Sequence, residues 1–274
     1  MKKEINQFFK LHPKCNEVDL FRHTSKYLSK KYKTTFIEES HQCYIEFSPT
    51  NPKCKIKKKE ISDLWIIVYS PKEKKGKMTF LQAKYKKNKK AIPKPFRFSA
   101  DYFQYDLLKH RPIIRNISKL NLPSNILSSA KYNSIGSYGV YYYDKNKLLD
   151  FSFSVASDLI FKTKAKCNTG TRTLFFEDDE YYIVRNINNH IDFDLRNTLN
   201  ADTFECALIN LMIGSPFEND NKLLAFLKKK FQNINGADDF NTFLSLFETN
   251  SQDTDIKDNH MNQNILLINI DEKE

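Results

Sequence analysis

The sequence predicts an α/β (α+β) protein, a central mixed β-sheet flanked by helices, with a mainly helical C-terminal part. Three observations predict it. Helical patterns over 16–32 and 99–110 enclose three short runs of apolar and β-branched residues. Aromatic strand formers dominate 137–187. From residue 202 the apolar residues switch to helical spacing.

In "NEVDLFRHTSKYLSKKY" (16–32), Leu20, Phe21, Thr24, Tyr27 and Leu28 fall on one stripe, with Lys26, Lys30 and Lys31 outside it. Asn16 is the expected N-cap, and Glu17 and Asp19 stand in the first turn, where the helix dipole favours acids. Strands are expected at "CYIEFS" (43–48), "DLWIIVYS" (63–70) and "MTFLQAKYK" (78–86). The last two flank "PKEKKGK", a polar turn, and so form a hairpin. "NPKCKIKKKE" reads as a basic connection, and the prolines of "KKNKKAIPKPFRF" make that stretch a loop or lid.

"SADYFQYDLLKH" is a second helix, capped by Ser99 and ended by "RPIIRNI". "ILSSAKY" suits a short helix and "SYGVYYYD" (137–144) a strand. "LLDFSFSVASDLIF" and "TRTLFFEDDEYYIVRNI" suit further strands, or a hairpin over "EDDE". "DTFECALINLMIG" and "NDNKLLAFLKKKFQNI" are helical, with Asp202 and Asn219 as caps and Gly214 and Gly236 as stops, and "DDFNTFLSLFE" follows. Residues 249–263 read as a polar linker and "NILLINI" as a terminal strand. The expected division is 1–176, an acidic helical region 177–248, and 249–274. Six glycines form no phosphate-binding loop.

Charge is distributed unevenly. Net charge is +11, yet residues 1–176 hold 36 Lys and Arg against 14 Asp and Glu, while 177–274 hold 8 against 19. A basic N-terminal part suits a polyanion such as nucleic acid; the acidic part suits docking, within the chain or between chains. Five cysteines form no CxxC pair and are odd in number, which argues against a secreted disulfide framework. "LWIIVY" is too short to span a bilayer, and the first residues lack the apolar run of a signal peptide. A soluble, cytoplasmic protein with no membrane partner is expected.

The hairpin supplies the chemistry. A turn centred near 73–74 places Asp63 opposite the region of Gln82 to Lys84, and strand alternation turns Gln82 and Lys84 to one face. A carboxylate, an amide oxygen and an ammonium then converge. Asp63 and Gln82 offer hard oxygen ligands to Mg²⁺ or Mn²⁺, and Lys84 stays close to the attacking water or the developing charge. One carboxylate holds Mg²⁺ weakly, so a further acid is expected nearby.

Asp63…Gln82-Ala83-Lys84 resembles the D…(D/E/Q)xK core of the PD-(D/E)XK, or restriction-endonuclease-like, nucleases. It is most similar to the QxK variants of Mrr-type restriction enzymes and anti-phage effector nucleases. That resemblance covers roughly residues 10–145. It implies a glutamate-bearing helix before a mixed sheet, then the hairpin and another helix. The chain departs from the pattern in having "EISDLW", without glycines around Asp63 or a proline before it. Glu17 ranks first as the missing acid and Glu46 second, with Glu38 and Glu39 as others. Gln104, on the following helix, is expected to face solvent. Lys86, Lys87, Lys89, Lys90, Lys94 and Arg97 would track the phosphate backbone. The implied activity is Mg²⁺-dependent hydrolysis of DNA, more than RNA, in restriction or anti-phage defence. A homodimer or partner protein would use the C-terminal region. The alternative is a non-catalytic nucleic-acid-binding or adaptor subunit.

Overall fold

The computed structural model describes residues 1–38, 43–85, 97–117, 122–144, 146–161, 171–175, 181–187, 190–196, 199–247 and 264–272, with side chains other than those of Arg97 and 161–198. Helix α1 (Lys2–Leu11) precedes α2 (Glu17–Leu28). In α2, Asn16 and Asp19 form a reciprocal capping box, and Leu20, Phe21, Thr24 and Leu28 are buried as their spacing requires. Strands β1 (Lys33–Ile37), β2 (Tyr44–Phe47), β3 (Lys57–Glu60), β4 (Leu64–Ser70), β5 (Lys75–Tyr85) and β6 (Arg97–Asp101) lead to α3 (Tyr102–His110). Next come β7 (Ile114–Asn116), β8 (Gly136–Tyr143), β9 (Leu149–Val155), β10 (Ile160–Phe161), β11 (Thr171–Phe175), β12 (Tyr181–Ile187), β13 (His190–Arg196) and β14 (Leu199–Asn200). The chain continues through α4 (Ala201–Ile209), β15 (Ser215–Pro216), α5 (Asn221–Phe231), α6 (Asp238–Ser245) and β16 (Ile265–Asn269).

The central sheet is mixed, in the order β1-β16-β4-β5-β8-β9-β14, with β15 also on β5. β16 runs parallel to β4 and β8 parallel to β5; the other pairs are antiparallel. The chain's last described strand thus lies between β1 and β4, second from one edge of the sheet. Every residue of β4 is buried, as a strand covered on both faces must be. Alternation sorts its side chains into two apolar layers. Trp65, Ile67 and Tyr69 join Met78 and Phe80 of β5 and pack with α3, α5 and α6. Leu64, Ile66 and Val68 pack with α1, α2 and α4.

Smaller sheets of order β3-β2-β7, β10-β11-β6 and β12-β13 complete the described strands. Several expectations are corrected here. Ser99 lies inside β6, and Asp101 caps α3 through the N–H of Gln104. Asn200 and Asp220 cap α4 and α5, in place of Asp202 and Asn219; each has the side chain that reaches the first-turn N–H groups. β11 pairs with β10 and β6, and β12 with β13, so "EDDE" does not join paired strands. "ILSSAKY" forms turns, and the basic "KKKE" is strand β3. Cys15, Cys43 and Cys206 are not in disulfides, whereas Cys54 is disulfide-bonded. The linker expected at 249–263 lies outside the described residues. Among the described residues no helix is long and apolar enough to cross a membrane.

Candidate active site

The β4–β5 hairpin pairs Leu64 with Leu81 and Ser70 with Lys75. Its turn is Pro71–Lys74, slightly earlier than the sequence suggests, and Lys74 takes the positive φ (52°) that a tight reversal needs. Gly76 therefore lies in β5. A Cβ there would come within 2.3 Å of the Phe217 ring, so close packing rather than turn geometry requires the glycine. This register places Asp63 opposite Gln82. Asp63 stands one residue before β4, and its N–H still donates to the Leu81 carbonyl at 3.1 Å.

Alternate N–H groups of a strand point to one side. Past the first residue of β4, Leu64, those of Ala83 and Tyr85 emerge along the edge of β5 that β4 no longer pairs. The Ala83 N–H donates to Asp63 Oδ2 at 2.6 Å, and Gln82 Nε2 donates to the same oxygen. The Tyr85 N–H donates to Glu17 Oε1 at 3.2 Å. The edge thus brings together Asp63, Gln82 and Glu17, the last delivered by the first turn of α2.

Gln82 and Lys84 share a face, and the Lys84 ammonium lies within electrostatic reach of Asp63 and of Glu60, at the end of β3. Glu60 is the acid that sequence reasoning missed. Burial, with the Asp63 charge beside it, pushes its carboxyl up to about 8 against the pull of Lys84. Burial also raises Asp63, opposed by Lys84, the Ala83 N–H and the Gln82 amide. Two neighbouring acids thus hold protons more tightly than usual, a pattern common at functional sites. Gln104 is a second correction: it is buried, and its amide donates to the Glu60 carbonyl at 3.3 Å. Tyr138 of β8, the register partner of Gln82, lies within reach of the Asp63 charge. The Tyr138 hydroxyl and Gln82 Oε1 are both buried without a hydrogen-bond partner among the described residues.

The other nominated acids point elsewhere. Glu46 pairs with Arg115 on the small sheet and Glu38 with Arg22, while Glu39 lies outside the described residues. Lys86, Lys87, Lys89, Lys90 and Lys94 also lie outside them; Arg97 begins β6, with its side chain not described.

A divalent ion fits the donors in kind. The Asp63 carboxylate and the unmet Gln82 oxygen are hard ligands, and Glu17 and Glu60 flank them. Among the described residues no three of His, Cys, Asp and Glu are grouped closely enough to hold a metal. No protein-family model matches the chain, and no curated protein or solved structure matches it significantly.

Proposed function

We propose that the chain is a metal-dependent nuclease of the PD-(D/E)XK type, hydrolysing phosphodiester bonds of DNA in the cytoplasm, in restriction or anti-phage defence. One observation carries this proposal: Asp63 and Gln82 touch at the edge of β5, with Lys84 on the same face. In support, the helix bearing Glu17, the hairpin, the QAK strand and α3 follow one another as that superfamily requires. Asp63 and Gln82 would hold Mg²⁺ or Mn²⁺, joined by Glu17 or Glu60 and by phosphate oxygens of the substrate. Once bound, the ion supplies Lewis-acid charge to the phosphoryl group and acidifies a water. Lys84 presents its ammonium to the non-bridging oxygens, where negative charge grows in the transition state. The basic N-terminal part holds the backbone, and the acidic C-terminal region serves a second copy or a partner protein.

A non-catalytic nucleic-acid-binding or adaptor subunit is the second reading, favoured by the basic balance of residues 1–176. Plasmid cleavage separates the two. With Mg²⁺ or Mn²⁺, the purified chain is expected to cut, and Lys84→Ala to lose cutting while retaining salt-sensitive DNA binding. Failure to cut with either ion, alongside binding equal in both proteins, would establish the second reading instead.

A further inference from the structure

We propose that the cavity between α1 and α2 binds the base-and-phosphate unit of a nucleotide. Its volume, about 730 Å³, falls within the range of small-molecule sites, about 300–1,000 Å³. Phe8, Pro13 and the buried Cys15 form its apolar walls. Rings are already assembled there. His23 stacks on Phe8 with centroids 4.2 Å apart and planes 14° from parallel, and His12 lies 4.6 Å from the same ring. A planar base extends such a stack, because every base presents a π-face.

The cations decide the rest. Arg22 is held by Asp19 and Glu38, which orient its guanidinium at the cavity. Lys14 and Lys26 also line it, are exposed, and enter no ion pair among the described residues. Inorganic phosphate would leave the ring wall unused, and an uncharged aromatic would leave both ammonium groups unused. A nucleotide uses both.

The cavity adjoins the edge of β5, because Cys15 lies two residues before Glu17, which accepts from Tyr85. Its ligand can therefore be a free nucleotide or one unit of a strand lying along that edge. The proposal does not depend on hydrolysis at Asp63, and its test contains no cleavage step.

Calorimetric titration of the full chain at low salt with AMP, inorganic phosphate and a short single-stranded oligonucleotide tests it. AMP is expected to bind one to one, roughly tenfold or more tighter than phosphate, the margin that stacking one base supplies. Lys14→Glu with Lys26→Glu should weaken AMP at least about tenfold and leave the melting temperature unchanged, since both side chains are exposed. Phe8→Leu should erase the preference for AMP over phosphate. If the oligonucleotide displaces AMP, the ligand is a unit of a strand; if AMP binds undisturbed by it, the ligand is a free nucleotide. AMP binding no tighter than phosphate, or unaffected by the charge reversal, overturns the proposal.

Discussion

At the turn end of the β4–β5 hairpin, Asp271 accepts from Ser70 Oγ at 2.8 Å and from the Lys72 N–H at 2.6 Å, and Ser70 Oγ accepts from the Glu73 N–H. At the opposite end, Asp63 accepts from Gln82 and Ala83, yet burial still raises its carboxyl. Glu60 is raised beside it, and Gln82 Oε1 and the Tyr138 hydroxyl stay unmet in the interior. The two ends of one hairpin thus meet a carboxylate that serves the fold and one that strains against it. Folding selects for satisfied polar groups, so a cluster of exceptions at one end marks where the chain does something besides fold.

The largest expected difference between the ends is in activity. Asp63→Ala should lower plasmid cleavage at least about 100-fold, whereas Asp271→Ala should leave it within about twofold. Equal losses would erase the functional distinction.

The next is in stability. Gly76→Ala, near the turn end, drives a methyl group into Phe217 and should destabilise by about 1–3 kcal/mol in urea unfolding, with cleavage retained.

A third concerns pH. The folded value of Glu60 is about 8, against an ordinary value of 4.5. Between those limits the folded chain keeps a proton that the unfolded chain has lost, so this group makes stability fall as pH rises from about 4.5 to about 8. Glu60→Gln should flatten that decline, measured as melting temperature against pH. An unchanged slope would remove Glu60 from the strained end.

The smallest lies at the helix that delivers Glu17. Asn16→Ala breaks the capping box and should cost about 1 kcal/mol; urea denaturation checks it.

The contrast is partly legible in the sequence. Hairpin arithmetic places Asp63 against the region of Gln82 to Lys84 because strand period and turn length leave little freedom, and the tight turn at Lys74 fixes Gln82 as the partner. The capping of α2, and with it the placing of Glu17, follows from local rules of the same kind. Glu60 was hidden because its lysine-rich surroundings read as a connection. Only pairing with β2, distant in sequence, makes that stretch a strand. Gln104 reads as solvent-facing for a related reason: its burial depends on β3 lying over α3, which no periodicity encodes. β16 illustrates the limit differently. "NILLINI" announces a strand, but not its insertion between β1 and β4.

The central claim is that the edge end of the hairpin holds a divalent ion between Asp63 and Gln82. Titrating the protein with Mn²⁺ in a calorimeter, in parallel with Asp63→Ala, measures this directly. The account predicts saturable heat from the wild-type chain that disappears in the variant, while both proteins melt cooperatively. Identical heats from the two, or none from the wild-type chain in the presence of DNA, would contradict it.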